Sequence, residues 1–176
     1  TSAGDISQQS YAIAIGRYAG ENSQKESAIA IGLGAGETAQ QNNSIAIGTS
    51  AGETSQQNNS IAIGTSAGQY YLGNSSIAIG KLAGDSMGSV KREADKMDNV
   101  IILNATGLAL NSEGEKRFYV APVREAPIDT GNLLYYTDAS EIVQSNITFS
   151  GGTIDMNNQD INNVSSIKMK DGGTIG

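Results

Sequence analysis

The sequence predicts an all-β fold, a parallel β-solenoid or β-roll of sixteen-residue coils, and three observations lead there. One phrase recurs five times at a strict spacing of sixteen residues: Ala12-Ile-Ala-Ile-Gly16, Ala28-Ile-Ala-Ile-Gly32, Ser44-Ile-Ala-Ile-Gly48, Ser60-Ile-Ala-Ile-Gly64 and Ser76-Ile-Ala-Ile-Gly80. A second register runs with it, since Ala-Gly recurs at Gly20, Gly36, Gly52, Gly68 and Gly84, each four residues after the first glycine. The two isoleucines of each phrase are two residues apart, the period that places both on one face of a strand and the alanine between them on the other. A helix is disfavoured, because every unit carries at least two glycines and a run of Ser, Thr, Asn and Gln.

Within a coil the Ile strand is expected to form one wall, with a bend at its glycine. The Ala-Gly-Glu-Thr-Ser stretch forms a second wall and Gln-Gln-Asn-Asn returns the chain. Successive coils stack at about 4.8 Å, which turns the isoleucines into two ladders, Ile13 to Ile77 and Ile15 to Ile79. These ladders are expected to face the coil interior. The alanine column Ala14, Ala30, Ala46, Ala62 and Ala78 then lies outside, where a small apolar stripe suits close packing against another subunit. Gly16 and its equivalents are expected to supply a positive φ or a close backbone approach at the corner. Ser2-Ala3-Gly4 already fits the second register, so the sequence starts inside a repeat and Thr1 reads as the cut end of a longer protein.

Four segments follow from the pattern: solenoid repeats over 1–84, a charged inserted loop over 85–98, a small β cap or neck over 99–145, and a fibre-like tail over 146–176. Ile101 stands 24 residues after Ile77, one period plus eight, and the loop between holds Lys91, Arg92, Glu93, Asp95 and Lys96. The cap is read from Val100-Ile-Ile-Leu103, Phe118-Tyr-Val-Ala-Pro-Val-Arg124, Leu133-Leu-Tyr-Tyr136 and Glu141-Ile-Val143, short runs rich in aromatic and β-branched residues separated by turn clusters. In the tail, Gly151-Gly-Thr-Ile154 returns as Gly172-Gly-Thr-Ile175. Its sparse apolar residues suit a core shared by three chains along an axis.

Composition narrows the chemistry. Among 176 residues there are 22 glycines and 5% aromatics, which disfavours a conventional globular core. The absence of histidine removes the commonest catalytic base and metal ligand, and the absence of cysteine excludes disulfides and thiolate metal sites. A net charge of -7 disfavours nucleic acid or an anionic membrane as the main partner. Gly32-Leu-Gly34-Ala-Gly36 lacks the helix and lysine of a phosphate-binding loop, and no Asp recurs as it does in calcium-binding nonapeptide solenoids, so neither a metal nor a cofactor is expected.

The phrase Asn43-Ser-Ile-Ala-Ile-Gly48, repeated from Asn59, resembles the head repeat of bacterial trimeric autotransporter adhesins, trimers of left-handed parallel β-rolls. With Asn99-Val-Ile-Ile-Leu-Asn-Ala-Thr-Gly107, Phe118-Tyr-Val-Ala-Pro-Val-Arg124 and Leu134-Tyr-Tyr-Thr137 added, nearly the whole chain is most similar to the cell-wall attachment proteins of chlorella viruses. The resemblance implies a homotrimeric, non-enzymatic fibre or spike segment on the virion surface, directed at host cell-wall polysaccharide.

Sugars stack on aromatic rings and take hydrogen bonds from amides and hydroxyls, so Tyr18, Tyr70 and Tyr71, which break the repeat where they occur, are the candidate carbohydrate-binding residues. The Gln40 to Asn43 and Gln56 to Asn59 stretches either present a polar ladder or satisfy one another along the solenoid. Their Asn-x-Ser sequons at Asn42, Asn58 and Asn74 are read as by-products of the repeat, unmodified. No catalytic residue is assigned. A polysaccharide-degrading spike would need paired carboxylates, for which Asp85, Glu93, Asp95 and Asp98 form the only dense cluster, and Ser165-x-x-Lys168 stands without the rest of a nucleophile framework. A purely structural spacer is the third alternative.

Overall fold

A computed structural model describes residues 2–85, 98–111, 114–123, 130–136, 142–150 and 153–155. The chain divides into two compact units, Thr1–Val123 and Arg124–Gly176. All regular elements among the described residues are strands.

The first unit is a parallel β-solenoid. Each repeated phrase gives one three-residue strand: β1 (Ile13–Ile15), β2 (Ile29–Ile31), β3 (Ile45–Ile47), β4 (Ile61–Ile63) and β5 (Ile77–Ile79). They pair in parallel with a constant step, Ile13 with Ile29, Ile29 with Ile45, and so on to Ile77. The sheet then continues beyond the last phrase. β6 (Ile101–Asn104) pairs Ile101 with Ile77, and β7 (Phe118–Ala121) pairs Phe118 with Ile101, making seven parallel strands in sequence order. The Phe-Tyr-Val-Ala run is therefore a solenoid strand, where the sequence pattern alone placed it in a separate cap. On the second wall, bridges link Ile6, Asn22, Thr38 and Thr54 in turn, and bonds such as Gly36 N–H to the Ala51 carbonyl at 2.9 Å tie neighbouring coils.

The interior reverses the expectation for isoleucine and alanine. Ala30, Ala46, Ala62 and Ala78 are 0% exposed within a single chain, and so are Ala19, Ala35, Ala51, Ala67 and Ala83 of the second wall. The isoleucines of β1–β5 point outward. The alanine column is thus core, and its expected role as an intersubunit face is overturned. Strand alternation fixes only that the two residue types lie on opposite faces. Two short walls that meet alanine against alanine leave no volume for a second branched side chain between them.

Glutamine fills the rest of the interior. Gln24, Gln40 and Gln56 are fully buried and form a ladder, Gln24 Nε2 donating to Gln40 Oε1 at 3.1 Å and Gln40 Nε2 to Gln56 Oε1 at 3.3 Å. Each amide also donates to a strand carbonyl: Gln24 to Ile13, Gln40 to Ile29 and Gln56 to Ile45, all at 2.8 Å. This satisfies the polar groups that burial would otherwise penalise. The glycine ending each phrase is needed for space. At Gly48, with φ 126°, a Cβ would sit 2.7 Å from the Gly64 carbonyl oxygen of the next coil. The corners are left-handed, and Asn43 and Asn59, both with φ 56°, suit them because asparagine tolerates that region.

The second unit contains an antiparallel sheet of β8 (Thr130–Tyr136), β9 (Ile142–Ser150) and β10 (Thr153–Asp155), in the order β10-β9-β8. Its β8–β9 pairing shifts register between Asn132 and Leu134, and Ser150 faces Thr153 across the β9–β10 pair. The suspected tail repeat from Met156 onward lies outside the described residues.

Candidate functional site

Stacking at a fixed period turns every outward position into a column, and three columns matter for binding. The first is apolar. Both isoleucine ladders lie on the outer face of the sheet, partly exposed along its length and most exposed at the first coil, where Ile15 is 57% exposed. Ile101, Phe118 and Val120 extend this face over β6 and β7.

The second column is acidic. Glu21, Glu37, Glu53 and Gln69 follow one another at the repeat spacing, each just after the Ala-Gly of its coil. Burial, then the charges of Glu53 and Glu21, hold the Glu37 carboxyl above its ordinary value. At the end of the column a neutral residue takes over, and Gln69 Nε2 donates to Glu53 Oε2 at 2.7 Å. Sixteen residues after Gln69, Asp85 is buried, its Oδ1 has no hydrogen-bond partner among the described residues, and burial raises its pKa.

The third column runs along the returning corner. Asn58 Nδ2 donates to Asn74 Oδ1 at 3.3 Å, and Asn74 donates to Asp98 through its backbone N–H at 2.7 Å and its amide at 3.3 Å. Two of the three sequon amides are therefore occupied within the ladder, while Asn42 is exposed. Asp98 terminates the asparagine column, so one member of the charged cluster has a structural task. Lys91, Arg92, Glu93 and Asp95 lie outside the described residues, as do Ser165 and Lys168.

The three tyrosines singled out from the sequence do not form one site. Tyr18 stands in the register of Ser66, so three coil steps, about 14 Å, separate it from the coil that carries Tyr70 and Tyr71. The Arg17 guanidinium lies 4.4 Å from the Tyr18 ring centroid and also donates to its hydroxyl, which occupies one ring face. Tyr71 is half-buried and engaged with the protein. Tyr70 is 41% exposed and lies one coil beyond Thr54 in the same outward column.

Sequence reasoning passed over Tyr11, which is 82% exposed and lines an open hollow of about 520 Å³ with Gln8, Gln9, Ser10 and Glu26. Its alignment with Ser27 in the next coil is the signal that would have found it. Among the described residues, no group of three or more acidic side chains is placed to hold a metal ion. No helix among them is long and apolar enough to cross a membrane. No protein-family model, curated protein or solved structure matches the chain.

Proposed function

We propose that this chain is a segment of a homotrimeric, non-enzymatic fibre or spike on a virion surface, outside the cell, that recognises host cell-wall polysaccharide during attachment. The observation that supports the assembly is the outward isoleucine face. Seven strands at about 4.8 Å and a width of one Ile-x-Ile pair give an apolar strip of roughly 300–400 Å² per chain. Three such strips meeting along an axis would together remove roughly 1,000 Å² from water, about 300–400 Å² at each of the three pairwise contacts, an apolar patch of the size that marks an interaction site. Isoleucine and alanine thereby divide the work, alanine closing each coil and isoleucine joining one coil stack to the next.

The recognition part of the reading draws on the sequence resemblance and on the polar outer columns, which repeat hydroxyl, amide and carboxylate groups at the coil spacing of about 4.8 Å. Its test has two arms. Sedimentation equilibrium should give the mass of three 18.2 kDa chains, about 55 kDa, and a monomer or dimer would refute the trimer. Co-sedimentation with purified algal cell walls should retain the protein in the pellet without releasing sugar. New reducing ends would refute a non-enzymatic role, and absence from the pellet would refute attachment by this segment.

A further inference from the structure

We infer that the outer wall of the fifth coil, formed by Tyr70 with Glu53, Thr54 and Gln69, is a subsite for one unit of a neutral glycan, an inference that rests on the attachment reading above. The argument starts from a concerted break in the repeat. Where the fourth coil reads Glu53-Thr54-Ser55-Gln56-Gln57, the fifth reads Gln69-Tyr70-Tyr71-Leu72-Gly73, so five consecutive positions change together. The inward member of the set keeps the coil closed. Leu72 takes the place of the ladder glutamine, is 0% exposed, and forms the bridge with Gln56. The outward members change the surface chemistry instead of the fold.

Three consequences converge on one patch. Tyr70 places an exposed ring in a column that begins with Ile6 and continues with Asn22, Thr38 and Thr54. Gln69 interrupts a column of carboxylates, with Asp5, Glu21, Glu37 and Glu53 before it and the buried Asp85 after it, and its amide fixes Glu53 through Oε2 at 2.7 Å. Glu53 Oε1 has no partner among the described residues, so an oriented acceptor stands one coil away from the ring. The backbone is held by the Thr54 N–H donating to the Gln69 carbonyl at 2.7 Å, which keeps the two coils in register beneath the patch. A carboxylate oxygen accepts from sugar hydroxyls, a threonine hydroxyl both donates and accepts, and a ring face packs against pyranose C–H groups.

Charge selects the class of sugar. No Lys or Arg occurs between Lys25 and Lys81, while Glu21, Glu37 and Glu53 line the wall. A uronate or sulfated unit would meet repulsion from these carboxylates, whereas an uncharged hexose meets none.

The test uses the full chain and four probes: laminari-, cello- and manno-hexaose and polygalacturonate, measured by titration calorimetry. The variants are Tyr70→Thr, which restores the residue of the two preceding coils, Glu53→Gln, and Thr38→Ala as a control on the same column. The expected result is binding of at least one neutral hexaose by the parent, weakened about tenfold or more in Tyr70→Thr and Glu53→Gln. Thr38→Ala should bind as the parent does, and polygalacturonate should not bind. Circular dichroism melts of Tyr70→Thr should match the parent, since Tyr70 is 41% exposed and threonine already stands at this position in the two preceding coils. Equal affinity in Tyr70→Thr would overturn the subsite and leave attachment standing, as would a parent that binds whole walls but no neutral hexaose. Tyr70-dependent binding of polygalacturonate would overturn the neutral class. A parent that binds neither hexaoses nor walls would overturn both the subsite and the attachment reading.

Discussion

Replacing glutamine by leucine should cost far more in the middle of the buried ladder than at its end, and the fold supplies its own reference for the substitution in Leu72. Gln40 accepts from Gln24 at 3.1 Å, donates to Gln56 at 3.3 Å, and donates to the Ile29 carbonyl at 2.8 Å. Gln40→Leu removes these three bonds together with the 3.4 Å donation to the Ser44 carbonyl, and leaves Gln56 Oε1 buried without its ladder donor. Gln56 has Leu72 beyond it, so Gln56→Leu removes one ladder bond and the donations to Ile45 at 2.8 Å and Ser60 at 3.2 Å. Each orphaned buried group costs about 1–3 kcal/mol, and leucine returns part of that by apolar burial. We expect a loss of about 2–4 kcal/mol for Gln40→Leu and about 1–2 kcal/mol for Gln56→Leu. Urea unfolding followed by circular dichroism, at one fixed protein concentration so that assembly is held constant, measures both. Equal losses, or a larger loss at Gln56, would refute the view that the ladder acts as a connected network.

Other perturbations probe the remaining columns. Ala46→Val adds two methyl groups between walls that meet at alanine and should destabilise by about 1–3 kcal/mol, read as a lower urea midpoint. Ile47→Lys with Ile63→Lys leaves the coil interior untouched but charges the apolar face, and it should reduce the sedimenting mass to that of one chain while the strand signal in circular dichroism persists. Glu37 and Asp85 have carboxyls raised above their ordinary values of 4.5 and 3.8, so the folded state holds their protons more firmly than the unfolded chain does. Their contribution to stability is therefore present at low pH and is lost as pH rises through the folded values. Melting temperature should therefore rise as pH falls from neutrality toward these ordinary values, and Glu37→Gln should remove part of that increase by raising stability at the higher pH.

The sequence by itself determined the period, the strands and their register. A sixteen-residue repeat with Ile-x-Ile in every copy allows one pairing, and the structure pairs Ile13, Ile29, Ile45, Ile61 and Ile77 in that order. It also marked Tyr70 as a break in the pattern, and it aligned Gln69 with Glu53. Which face of the strand is inside was decided only in three dimensions. Isoleucine and alanine are both apolar, so alternation separates them without ranking them; the gap between walls, set by Ala19, Ala35, Ala51 and Ala67 on the far side and by the glutamine ladder, admits only the smaller residue. The same holds for the last two solenoid strands. Steps of 24 and 17 residues hide β6 and β7 from a periodicity search, and they join the sheet because the exposed backbone edge of β5, then of β6, pairs with any strand the chain returns to it. The contact that fixes Glu53 likewise needs the stack, since Gln69 and Glu53, sixteen apart in sequence, become neighbours only when one coil lies on the next.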